Sequence, residues 1–157
     1  MTFRAKHIAY LLLLVFFSAC RDDKRVVDES RPLNNHTWSY SDKMRFDVKI
    51  TDASKPYDLY LNLRHTPYYA YSNFFAIIHQ ISPEKKRYSM RFEFKLAQPD
   101  GEWLGQGSGN LYSHQIVFRK NYKFPKAGTY RIDIEQNMRD NPLKEITDAG
   151  LRVEEAN

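Results

Sequence analysis

Five histidines, a glycine-rich run, closely spaced acids and one cysteine are the residues of this 157-residue chain that could do chemistry. GQGSGN, Gly105–Asn110, has the glycine density of a phosphate loop but lacks its context. The dinucleotide fingerprint is G-x-G-x-x-G opening a helix, whereas here G-x-G-x-G opens a strand pattern. A nucleophile elbow needs G-x-S-x-G, and these glycines flank Ser108 directly. The run is expected to form a hairpin or bulge where positive φ favours glycine. His36, His65, His79 and His114 are never paired at i,i+2 or i,i+4 and have no cysteine beside them, so no zinc site is expected. Asp133 and Glu135 fall on one face of a strand pattern. A glycosidase could use such a pair, but a solvated sheet face is the commoner reason for it. No serine or cysteine triad has a local signature. Neither a catalytic residue nor a metal or other cofactor is expected.

RHTPYYAYSNFF, Arg64–Phe75, is the most distinctive candidate surface. Pro67 interrupts it, so part of it is a loop between strands. Arg64, His65, Tyr68, Tyr69, Tyr71 and Asn73 then lie close together. Tyr and Arg are enriched where proteins touch proteins, and rings beside amides also suit sugars. The tyrosines could equally pack over the edge of the fold. Protein contact, carbohydrate contact and plain packing all remain open at this point.

The cysteine, Cys20, ends the stretch LLLLVFFSAC and is followed at once by RDDK. The apolar run Ile8–Phe17 is 10 residues. As a helix it measures roughly 15 Å, half of a ~30 Å hydrocarbon core. It is too short to span. A basic start (Arg4, Lys6), a short apolar middle and small residues (Ser18, Ala19) make a secretory signal peptide over residues 1–19. A lone cysteine in an exported chain has no disulfide partner within it. FSAC resembles the bacterial lipobox, with Phe17 where leucine is usual. The resemblance implies a diacylglyceryl group on Cys20, which becomes the mature N-terminus, and a membrane anchor made of two or three acyl chains. Each buried CH₂ contributes about 0.8 kcal/mol to such an anchor. Arg21, Asp22, Asp23 and Lys24 resemble a basic-then-acidic surface-export signal, but the tether is charged throughout. The periplasmic face of the outer membrane is favoured over the cell surface.

The elements behind these residues are strands. Phe46, Val48 and Ile50 alternate with Arg45, Asp47 and Lys49; Tyr57, Leu59, Leu61 and Leu63 alternate with Asp58, Tyr60, Asn62 and Arg64. Met90, Phe92, Phe94 and Leu96 face one way, as do Tyr130, Ile132 and Ile134. HQIVFRKNYKF alternates more weakly, and GLRVEE closes the chain. SNFFAIIHQI is continuously apolar in its middle and is expected as a central strand covered on both faces. Pro99-Asp100-Gly101 and Pro125–Gly128 are turns, and Asn141–Ile146 has room for one short turn of helix. Aromatic residues are 15 % of the chain, which favours strands further. The fold class is all-β: an antiparallel, jelly-roll-like β-sandwich of about seven or eight strands.

Three segments organise the chain: the signal peptide 1–19, a charged flexible tether 20–36, and a β-sandwich domain 37–157. The formal charge of +5 includes Arg4 and Lys6. What remains is a modest surplus with interleaved signs and no patch fit for nucleic acid. The expected partners are the membrane, through Cys20, and other envelope proteins.

YDLYLNLRHTPYYAYSNFF (57–75), WLGQGSGNLY (103–112), FPKAGTYRIDIEQNMR (124–139) and LKEITDAGLRVE (143–154), taken in this order behind the lipobox, resemble the gliding-motility lipoprotein GldH family of the Bacteroidota. The resemblance implies a non-enzymatic accessory or structural component of gliding motility, or of the type IX secretion system linked with it. A surface lipoprotein module that binds glycan is the alternative. No catalytic residue comes with the resemblance; only Cys20 carries over, as the lipid attachment site.

Overall fold

The structure is a computed structural model and describes residues 24–107 and 109–157. The expected signal peptide, residues 1–19, and the expected lipid attachment site Cys20 lie outside the described residues. Eight long strands build the domain: β1 (Arg25–Pro32), β3 (Met44–Ile50), β4 (Tyr57–His65), β5 (Asn73–Ile81), β6 (Arg87–Lys95), β8 (Tyr112–Tyr122), β9 (Gly128–Gln136) and β11 (Ile146–Glu155). Three two-residue strands, β2 (Thr37–Trp38), β7 (Gln106–Gly107) and β10 (Leu143–Lys144), fill gaps between them. One sheet has the order β1-β11-β4-β8-β7, the other β3-β9-β5-β6, and β10 pairs with β2. Every pairing is antiparallel.

The order of the long strands is that of a jelly roll. First pairs with last (β1 with β11), β3 with β9, β4 with β8, and β5 with β6, as in one long hairpin rolled into two sheets. The core follows from period two. Leu59, Leu61 and Leu63 of β4 meet Ala149, Leu151 and Val153 of β11 on the inner face of one sheet. Phe46, Val48, Ile50, Phe74, Ala76, Ile78, Tyr130, Ile132 and Ile134 cover them from the other. All are buried, each removing apolar area at roughly 25 cal/mol per Å². Trp38 of β2 stacks on Phe74 at 5.5 Å and closes one end of the barrel-like interior.

The sequence predicts a flexible tether through residue 36, and the structure corrects this. Residues 25–32 are β1, paired along their length with β11. β1 is an edge strand, so only Val27 needs to be buried, and its polar sequence is what an edge tolerates. A 3₁₀ turn, Asn34–His36, then leads into β2. The short helix expected in 141–146 is also absent: the Asn141–Pro142 bond is cis and Leu143–Lys144 pair with Trp38 and Thr37. β5 is central, as expected, but its outer face is only half covered, with the Arg91 guanidinium 3.8 Å from the Phe75 ring. β6 keeps Met90, Phe92, Phe94 and Leu96 on one side, yet only Phe94 and Leu96 are buried because β6 is an edge.

Gln106 and Gly107 of the glycine-rich run pair antiparallel with β8, as the expected hairpin requires, Gln106 opposite Ser113 and Gly107 opposite Tyr112. The glycines have a second reason to be there. A Cβ on Gly105 would stand 2.6 Å from the His114 ring, and one on Gly107 2.7 Å from Tyr112. The hairpin lies down on two rings.

Candidate functional site

The structure divides the six residues of Arg64–Asn73 among three environments. Arg64 and His65 end β4, and alternation sends them to opposite sides. Arg64 points outward, with Nε 3.6 Å from Asp148 Oδ2. His65 points into the core and is fully buried. Asn73 opens β5 on the outer face of the other sheet, where its Nδ2 donates to Glu93 Oε1 at 2.7 Å. Arg64 and Asn73 therefore sit on opposite faces of the sandwich and share no site.

The three tyrosines between them also part company. Tyr69 is 4 % exposed and packs against His65 at 5.2 Å; its hydroxyl donates to the Asn73 carbonyl at 3.0 Å. Tyr71 is half-buried and its hydroxyl donates to Asp140 Oδ2 at 2.6 Å. Tyr68 is 82 % exposed. A three-ring platform does not exist. What exists is one ring held out by a loop that is tied down around it. The Thr66 backbone donates to the Glu145 carbonyl at 3.0 Å, and the Thr66 hydroxyl donates to the Glu145 carboxylate at 2.5 Å. The Tyr69 N–H closes the turn on the Thr66 carbonyl.

His65 has a partner that sequence spacing does not show. His114, on the neighbouring strand β8, brings its Nε2 to 3.0 Å from His65 Nε2. His65 Nδ1 lies 2.8 Å from the Thr66 carbonyl, so Nδ1 carries the hydrogen and Nε2 is left to accept. His114 Nε2–H is then the donor. Trp103, Tyr69 and Tyr112 enclose the pair, with Trp103 4.4 Å from His65. Burial pushes His65 down, and burial with the neighbouring His65 pushes His114 down to about 4. Both rings are neutral at neutral pH and serve as packing. Among the described residues no three or more His, Cys, Asp or Glu come together as metal ligands.

Beside Arg64 the outer face of the larger sheet carries a hydrogen-bonded row. Gln115 Nε2 donates to Asn62 Oδ1, and Asn62 Nδ2 donates to Asp28 Oδ1, both at 3.0 Å. Arg152 Nη1 donates to Asp28 Oδ2 at 2.9 Å and ties the edge strand to β11. Asn62 and Gln115 of this row line a groove of about 710 Å³, whose other lining residues include Ser30, Arg64, Gln106 and Asp148. Its groups can exchange hydrogen bonds with a polar chain.

The outer face of the smaller sheet holds the nearest approach to a catalytic array. Ser89 Oγ is 2.7 Å from His79 Nδ1, and His79 Nε2 is 3.0 Å from Glu135 Oε2. Burial pushes Glu135 up, but hydrogen bonds from Lys43 and His79 outweigh it and hold the carboxyl below its usual range. Lys43 Nζ is 2.7 Å from the same oxygen. The carboxylate is thus a partner of a lysine on a sheet surface, and the groove lies on the other face. Asp133, expected on a wet face with Glu135, is instead 2 % exposed, with the Arg131 guanidinium 3.3 Å from its Oδ1. It cannot form a solvent-accessible acid pair.

The sequence profile of the GldH lipoprotein family matches residues 25–153. The chain is 35 % identical over 154 residues to a gliding motility lipoprotein GldH homolog of Christiangramia forsetii, covering 94 % of this chain and 93 % of that protein. It is 30 % identical over 159 residues to the gliding motility lipoprotein GldH of Flavobacterium johnsoniae, covering 97 % and 98 %. No solved structure matches.

Proposed function

The chain belongs to the GldH lipoprotein family, and from that premise we propose that it is a non-enzymatic component of the gliding machinery or of the associated type IX secretion system. It is anchored by lipid on Cys20, at the periplasmic face of the outer membrane, and works by holding another envelope protein. The contact surface is the loop 66–72, with Arg64 beside it. One observation carries this assignment: Tyr68 is 82 % exposed on a loop whose other large side chains are locked by named bonds. A tyrosine projecting from a loop whose backbone is already held adds little loop-ordering cost when a partner covers it, which is the physical basis of an interface anchor.

The experiment is a photo-crosslinking amino acid at position 68 in living cells of the native organism. Irradiation is expected to capture a defined envelope protein from position 68 and not from position 88, an exposed tyrosine on β6. Capture at neither position, or equally at both, would sink the proposal.

The amide row and groove favour glycan binding as a second reading, since Asn62 and Gln115 offer paired donors and acceptors. The burial of Tyr69 removes the aromatic platform that would strengthen it. Titration with envelope oligosaccharides, wild type against Asn62→Leu, decides it; no saturable signal in either ends it.

A further inference from the structure

The connectivity gathers one set of loops at the end where the chain enters the domain. Arg25 stands opposite Glu154, and Glu154 opposite Asp58. Tyr57 stands opposite Tyr122, and on the other sheet Ile50 opposite Gly128 and Ile81 opposite Arg87. The turns 51–56, 82–86 and 123–127 therefore share this end with Lys24 and the last residues of β11. They touch one another. Ala156 N–H donates to the Pro56 carbonyl at 2.9 Å, Lys55 Nζ to Glu155 at 2.8 Å, and Lys126 pairs with Glu84. The Glu155 N–H donates to the Lys24 carbonyl at 2.8 Å.

This end is basic. The segments KR (24–25), TDASKP (51–56), SPEKKR (82–87), KNYKFPKA (120–127) and EAN (155–157) hold nine cations against three acids. Lys85, Lys86 and Lys123 are exposed, the Lys86 side chain to 84 %. The opposite end differs in sign. Its segments 33–43, 66–72, 96–111 and 137–145 hold three cations against five acids. The surplus positive charge of the domain is thus concentrated where the chain enters.

Because β1 begins at Arg25, only four residues separate it from Cys20. Fully extended, that stretch reaches about 17 Å at ~3.4 Å per residue. A lipid on Cys20 leaves this end no farther than that from the bilayer, and fields from anionic headgroups act within a Debye length of roughly 8–10 Å.

We propose that the entry end of the sandwich is a membrane-docking face, whose lysines and arginines sit on anionic phospholipid headgroups and fix the domain upright. This rests on the lipid-anchor reading. The occupant is a phospholipid surface because the tether holds one there and its charge is complementary. Docked this way, the domain turns the loop 66–72 away from the membrane.

The test uses the full lipid-modified protein, with the lipid first verified by intact mass. Absence of that mass overturns the anchor reading, and the docking face with it. The verified protein is placed in vesicles of phosphatidylcholine, alone or mixed with phosphatidylglycerol. Acetylation is read by mass spectrometry at Lys85, Lys86 and Lys123, with Lys43 and Lys144 at the far end as references. The expected result is about threefold or greater protection of the first three with phosphatidylglycerol, lost in about 1 M salt where the screening length is ~3 Å. The references do not change. The combined variant Lys85→Glu, Lys86→Glu, Lys123→Glu removes the difference between the two vesicle types at the four entry-end lysines it leaves, Lys24, Lys55, Lys120 and Lys126, while its circular dichroism is unchanged. Equal acetylation of the wild type in both vesicles overturns the docking face alone. Protection in native envelope membranes but not with phosphatidylglycerol assigns the face to an acidic protein and overturns it too.

Discussion

His65 and His114 face each other across β4 and β8 with their Nε2 atoms 3.0 Å apart, inside a cage of Trp103, Tyr69 and Tyr112. One proton serves the contact, and a second would place charge on a buried pair enclosed by aromatic rings. Burial lowers both groups, His114 to about 4.

The sign of the resulting pH dependence is fixed. Below the unfolded value of about 6.5 the unfolded chain takes up protons that the native pair refuses. Stability is therefore full above that pH and falls as pH drops toward 4. His114 alone is expected to cost about 1.5 kcal/mol between pH 6.5 and 5. Urea midpoints measured across that range check it. A midpoint that is flat from pH 7 to 5 would contradict the neutral, buried pair.

Gly150 holds the edge strand close. A Cβ there would stand 2.3 Å from the Glu29 carbonyl oxygen and 2.8 Å from Ser30 Cα, both backbone. Neither can swing aside, so Gly150→Ala must push β1 away from β11. The expected loss is about 1–3 kcal/mol. Hydrogen exchange should quicken at amides 27–31 while β3 and β9 stay protected. Unchanged exchange in β1 would show that the strand adapts at no cost.

Gln136 is fully buried and serves three backbone groups. Its Nε2 donates to the Trp38 and Asp140 carbonyls at 3.3 and 3.1 Å, and its Oε1 accepts from the Met138 N–H at 2.9 Å. Gln136→Leu removes the side-chain partner of all three, a loss of about 2–4 kcal/mol. Gln136→Glu keeps the acceptor but not the donor and should fall about as far. Thermal melts of the two variants decide it; a Tm within a degree or so of wild type would refute the role.

The strands were legible because each alternates on its own. Phe46, Val48 and Ile50 need only their neighbours in sequence to declare a buried face. β1 was not legible: as an edge strand it buries Val27 and little else, so its sequence matches that of a solvated tether. The pairing of His65 with His114 was hidden for a different reason. It depends on the register of β4 against β8, which places His65 opposite Tyr112 and His114 opposite Leu63. The tyrosine loop stands out in the sequence as a stretch, but which ring faces solvent turns on bonds to Glu145 and Asp140, which lie 79 and 69 residues along the chain from the groups they hold. The amide row is not visible in the sequence because Asp28, Asn62 and Gln115 come from three strands.

Tyr68 and Tyr69 are adjacent and chemically identical, so they separate binding from folding. Tyr69→Ala removes a buried ring from contact with His65, Tyr71 and Trp103, and a hydroxyl from the Asn73 carbonyl. It should cost about 3–5 kcal/mol of stability. Tyr68→Ala removes a ring that is 82 % exposed and should leave the urea midpoint within about 0.5 kcal/mol of wild type. Its effect is expected in cells instead: loss of partner capture and of function at normal protein level. Tyr69→Phe is the control within the core, because it keeps the ring and loses one hydrogen bond, at about 1 kcal/mol. If Tyr68→Ala cells retain full function while Tyr69→Ala cells lose only protein level, the loop is a structural closure and the contact surface must be sought on another face.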